Sequence, residues 1–195
     1  MSKVRTVGPF LVAGTLLIAA CATFEPNLAL PSVTTLGSQN IHLKDLADLD
    51  ARASAVAVVQ PTGKTRIELV EFAKGVLPTP VPVVELRVIE VIKGELPEYI
   101  EQRVGYTYQG DDGQEVPVIS GPARFLLYLE PFDTGDGAPW NGQWVTTAWL
   151  SGVFMDLGGD SGTYTRVDAE AVNLPDRITV SEAADPASVP VDIED

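Results

Sequence analysis

"VPVVELRVIEVIKGELPEYIEQRVGYTYQG", residues 81 to 110, decides the fold. Val84, Leu86 and Val88 alternate with Glu85 and Arg87, the period of two expected of a strand with one face in a core. At Ile89 and Val91 the apolar residues take the opposite parity. Such a change inside one strand requires a bulge or a strong bend, because every later side chain would otherwise turn to the wrong face. Long strands curved in this way close small barrels. Lys93 and Gly94 mark a turn, and a second strand reads from Tyr99 to about Tyr108.

The flanking segments agree. Before this unit, "HLKDLADLDARAS" spaces Leu43, Leu46, Ala47 and Ala53 at helical intervals, which predicts a short helix from Leu43 to about Ala51. Ala55 to Gln60 follows as a first strand ended by a Pro61 to Gly63 turn, and "KTRIELVEFA" offers a short strand or loop. After the unit come a "GDDGQ" loop and a largely buried strand from Arg124 to Glu130, with Phe125, Leu127 and Leu129 on one face. Asn141-Gly142 suits a tight hairpin turn. "QWVTTAWL", "GVFMDL" and "GTYTRV" then read as strands, with Gly158 to Gly162 as a hairpin loop. The expected fold is mainly β: a small OB-like antiparallel β-barrel with one short N-terminal helix.

The N-terminus predicts location. Lys3 and Arg5 precede the apolar run Val7 to Ala20, which is shorter than the roughly 20 residues a membrane span needs and ends at the only cysteine, Cys21. Ile18-Ala19-Ala20-Cys21 resembles a bacterial lipobox, which implies cleavage between Ala20 and Cys21 and lipidation of Cys21. Residues 1–20 are then a lipoprotein signal peptide, 21–42 a tether, 43–182 the barrel domain and 183–195 an acidic disordered tail. Removing Lys3 and Arg5 with the signal leaves 11 basic against 27 acidic residues, a net charge of −16. That charge disfavours nucleic acid and other polyanions as partners.

"DLADLDARASAVAVVQPTG", "VVELRVIEVIKGEL", "SGPARFLLYLEPF" and "WLSGVFMDL" together resemble a group of bacterial envelope proteins whose layout is similar to netrin-like modules and tissue inhibitors of metalloproteinases. The resemblance spans about residues 43 to 158 and implies an OB-type barrel. Inhibitors of that type chelate a protease metal through a free N-terminal cysteine fixed by disulfides. Here Cys21 is expected to be acylated and has no second cysteine to pair with, so the resemblance does not extend to that route of inhibition.

Gly159-Asp160-Ser161-Gly162 looks like the nucleophile region of a trypsin-type protease. The chain's one histidine, His42, sits near the tether, and Thr163 and Tyr164 replace the residues that continue the protease motif, so the stretch reads as a turn. Asp111, Asp112, Asp133, Asp136, Asp156 and Asp160 lie in glycine loops without EF-hand spacing and read as solvated carboxylates. One histidine and an acylated cysteine cannot assemble a zinc shell, and no metal or cofactor is expected. Trp149 and one or two other aromatics are expected to fill the barrel, while Trp140, beside a hairpin tip, is the candidate partner contact.

The expected protein is therefore not an enzyme. It is a lipid-anchored binding module on the extracytoplasmic face of the cell membrane, or of the outer membrane where there are two. Its acyl chains hold the bilayer and its barrel binds another envelope protein. The alternative is a module for carbohydrate or cell-wall polymer.

Overall fold

A computed structural model describes residues 33–35, 42–71, 75, 77–109, 115–132, 142–158 and 162–189. The chain begins with β1 (Val33–Thr35) and α1 (Leu46–Arg52). The helix starts three residues later than the periodicity predicts because Asp45 caps it, its side chain accepting from the Asp48 amide at 2.7 Å. Leu46 and Leu49 are the residues it buries.

Strand β2 (Ala55–Val70) is far longer than the sequence predicts. The expected turn at Pro61 to Gly63 is instead an irregularity between Pro61 and Thr65, where the pairing with β3 (Thr79–Lys93) shifts register and resumes. Gly63 takes a φ of +85° there, and the Thr62 hydroxyl donates to the Glu85 carboxylate at 2.9 Å across the shift. On β3 the pairs Val58–Glu90 and Val59–Val88 leave Ile89 as an extra residue. The bulge thus falls where the apolar parity changes.

Next come β4 (Tyr99–Arg103), β5 (Tyr106–Gln109), β6 (Glu115–Pro117), β7 (Phe125–Pro131), β8 (Gln143–Thr146), β9 (Val153–Met155), β10 (Thr163–Arg166), β11 (Arg177–Thr179) and α2 (Val180–Ala184). The single strand expected over Tyr99 to Tyr108 breaks at Val104 and Gly105. A side chain at Gly105 would lie 2.7 Å from the Trp149 ring, so the break is where that ring packs onto the backbone.

Five strands close a barrel in the order β7-β2-β3-β4-β8, and β8 returns to β7. This is the OB strand order. The β4–β8 pair is parallel, so the barrel is not antiparallel throughout. Past β8 the chain reverses through left-handed Ala148 and Trp149 and a 3-10 turn, and β9, β10 and β11 extend the sheet from β7. Strand β5 pairs with β1 and β6 in a separate three-stranded sheet.

Both faces of β2 over Ala55–Val59 and of β7 over Phe125–Leu129 are buried, which accounts for the unbroken apolar sequence of those two stretches. Ala55, Ala57, Val59, Phe125, Leu127 and Leu129 fill the barrel with Leu86, Ile100 and Trp144. Val56, Val58, Leu126 and Tyr128 form a second layer with Leu46 and Leu49 of α1, Phe154, Ile178 and Ala183 of α2. The C-terminal helix and the packed tail correct the sequence reading. Thr179 and Glu182 make a reciprocal capping box, Ala183 is buried, and a 3-10 turn at Pro186–Ser188 leads to Val189, which packs on the second layer. The boundary expected at residue 183 therefore cuts through α2, and residues 190–195 lie outside those described.

Candidate functional site

The outer face of β2, β3 and β4 carries an open groove of about 570 Å³, lined by Gln60, Pro61, Thr62, Lys64, Glu85, Arg87 and Tyr99. Register explains the grouping. Arg87 pairs with Tyr99 and Glu85 with Glu101, one residue out of phase with the core positions Val84, Leu86 and Ile100. Tyr99 is 49% exposed. Lys64 lies 2.9 Å from Glu85, and Arg87 donates to the side-chain Oε1 of Gln60 at 3.0 Å while the Gln60 Nε2 donates to the Pro122 backbone carbonyl. The hydrogen bond from Lys64 holds the Glu85 carboxyl below its ordinary value, and the same bond raises Lys64. Glu85 is therefore an ionised acceptor at neutral pH. An aromatic face with fixed donors and acceptors around it equips the groove for binding through stacking and hydrogen bonds.

A second polar cluster abuts this groove. Arg66 donates to both Glu101 oxygens at 2.6 Å and to Glu68 at 2.6 Å. Arg103 donates to Glu68 at 2.7 Å and to the Gln143 side-chain oxygen, and its guanidinium lies 4.1 Å from the centre of the Phe132 ring. Gln143 donates in turn to Glu68 at 3.0 Å. Burial works to raise the Glu68 carboxyl, but hydrogen bonds from Arg66 and Gln143 and the charges of both arginines outweigh it and leave it lowered. Glu101 is lowered chiefly by its hydrogen bond from Arg66. Burial lowers Arg103, the most enclosed of the four charged groups. The opposed charges pair across β2, β4 and β8, so the cluster acts as a clasp, with the second terminal nitrogen of Arg103 buried without a hydrogen-bond acceptor.

Among the described residues, no group of three or more His, Cys, Asp or Glu side chains is placed to hold a metal ion. Ser151 donates to Asp168 at 2.6 Å, while His42 is exposed ahead of α1. Inside the barrel, Gln102 is fully buried between the Val84 and Trp144 positions, and neither of its amide atoms has a hydrogen-bond partner.

Of the residues singled out in the sequence, Ala20, Cys21, Trp140, Asp160 and Ser161 lie outside those described, as do Asp111, Asp112, Asp133 and Asp136. Trp144 is in the barrel core, and Trp149 packs against it. Asp156, expected as a solvated loop carboxylate, is instead buried and accepts from the Gly158 amide at 2.9 Å, because it turns the chain after β9. The groove and the clasp were missed. Their members are up to 75 residues apart in the chain, and only the alternation of Glu85, Arg87 and Tyr99 with apolar neighbours marked a solvent face.

Fold and site define an OB-type closed barrel with a filled interior and a polar, aromatic outer groove. No family model matches the chain, and no curated protein matches it either. No helix among the described residues is long and apolar enough to cross a membrane.

Proposed function

We propose that this chain is a lipid-anchored, noncatalytic binding module of the bacterial cell envelope that holds a protein partner on the outer face of β2, β3 and β4. The observation that carries the reading is the groove around Tyr99 on a barrel whose own interior is packed with side chains. The signal-like N-terminus ending at Cys21 supports the anchor, and the OB strand order supports kinship with netrin-like modules. Trp140 is a further proposed contact. A second reading, carbohydrate or cell-wall polymer, is favoured by Tyr99 itself, an exposed ring flanked by the planar polar groups of Gln60, Glu85 and Arg87.

The test is cross-linking capture from intact envelopes with wild-type protein, Cys21→Ser and Tyr99→Ala. A protein partner enriched only with the anchored form, and reduced roughly 10-fold or more by Tyr99→Ala, is the expected result. Equal capture by wild-type and Cys21→Ser sinks the role of the anchor. Capture of no protein, together with tryptophan fluorescence that responds to a glycan panel and loses that response in Tyr99→Ala, transfers the function to the carbohydrate reading.

A further inference from the structure

Strand β2 outruns the barrel, and among the described residues the far edge of its outer half is unpaired. Thr65–Val70 pairs with Val84–Thr79 of β3 on one side, whereas β7 pairs with β2 only over Ala55–Val59. Among the described residues no strand lies on the other side of this stretch. Proteins usually guard such an edge with lysine, proline, a bulge or a covering element. Here the irregularity ends at Thr65, and neither proline nor lysine occurs from Thr65 to Val70. Ile67 and Leu69 are 61% and 73% exposed.

Charge selects the occupant. Residues 64–71 hold Lys64 and Arg66 against Glu68 and Glu71, a net charge of zero in a chain whose total is −14. Two copies of so acidic a protein repel each other overall, and this arm is where the repulsion is lifted. The edge is also complementary to itself. An antiparallel pairing centred on Ile67 sets Ile67 opposite Ile67, Arg66 opposite Glu68 twice, and Thr65 opposite Leu69 twice. A slip of one residue sets Ile67 against Glu68 and Arg66 against Leu69, an apolar side chain facing a charge at each position.

We propose that the protein forms a two-fold symmetric dimer in which the β2 edge Thr65–Val70 pairs antiparallel with that of a second copy, centred on Ile67. The contact is isologous, so it closes at two copies instead of propagating. It uses an edge separate from the Tyr99 groove and is independent of the lipid anchor.

The experiment is performed on the full chain in detergent, with Cys21→Ser so that each introduced cysteine is the sole thiol. A short thiol-reactive cross-linker is expected to join Ile67→Cys into a dimer. It should leave Val172→Cys monomeric, although Val172 is 76% exposed. Leu69→Cys should cross-link weakly, because its opposite residue is Thr65. Sedimentation of the chain without introduced cysteines should show a concentration-dependent dimer, strengthened by salt as the net repulsion is screened. Ile67→Lys should weaken that dimer roughly 30-fold. The cross-linking pattern stands on its own if this substitution alters the melting temperature. A chain monomeric at every concentration, equal cross-linking at Val172, or an Ile67→Cys adduct to a different protein in intact envelopes overturns the proposal.

Discussion

Gly94 shows how much a single position carries. It ends β3 with a φ of +76°, and a Cβ there would stand 2.5 Å from the Ser54 carbonyl oxygen, at the point where α1 hands over to β2. Gly94→Ala combines left-handed strain with a backbone clash and should destabilise by about 2–4 kcal/mol, read as a lower urea midpoint with an unchanged slope. Glu130 predicts the opposite sign. Burial alone raises its carboxyl. A raised acid favours the folded state when protonated, so its contribution is full below the unfolded value of about 4.5 and is lost as pH rises through the folded one. Glu130→Gln should therefore stabilise at pH 7 by up to about 0.5 kcal/mol, and the gain should vanish in unfolding curves measured below pH 4.

At the scale of elements, the clasp ties the β2–β3 arm to the barrel wall. Arg103 is 9% exposed, and removing it takes one cation from Glu68, which keeps its hydrogen bonds from Arg66 and Gln143 and is partly open to solvent. Arg103→Met should cost about 1–2 kcal/mol, less than a fully enclosed pair would. The diagnostic sign is local: amide exchange should accelerate over Thr65–Val70 and Val81–Val84 while the β2–β7 ladder stays protected. These elements also divide what the sequence displays from what it hides. Phe125, Leu127 and Leu129 share a face as their alternation requires, and the parity change at Ile89 is a bulge. Both are local patterns. Pro61 and Gly63 also looked local, as a strand end, but β3 supplies a continuous partner that carries β2 past them. The acidic C-terminus looked unable to order itself, yet a capping box and a few apolar contacts dock it on α1 and β11. The clasp has no local signature, since Arg66, Glu101 and Gln143 meet only after the barrel closes.

Across the whole molecule, ionised acids held by cations set the response to acid. Asp48, Glu68, Glu85 and Glu101 all have lowered carboxyls in the folded state. A lowered carboxyl adds stability that is full above its unfolded value and is lost as pH falls through the folded one. For the three glutamates the decline begins below about pH 4.5. Urea midpoints measured from pH 7 to pH 3 should therefore fall on acidification, and Glu101→Gln should flatten that fall while lowering stability at pH 7. A midpoint that rises steadily toward pH 3 would mean that the net negative charge, and not these pairs, governs the fold.

The closing position of β8 has a consequence for how the chain is made. Strands β2, β3 and β4 follow one another directly, but the ring is sealed only when Gln143–Thr146 slides between β4 and β7. Until a ribosome has polymerised Thr146 the sealing strand does not exist, and Val84, Ile100 and Gln102 have no closed interior to enter. Commitment to the native topology is thus postponed to late synthesis, and the nascent chain stays threadable for most of its elongation.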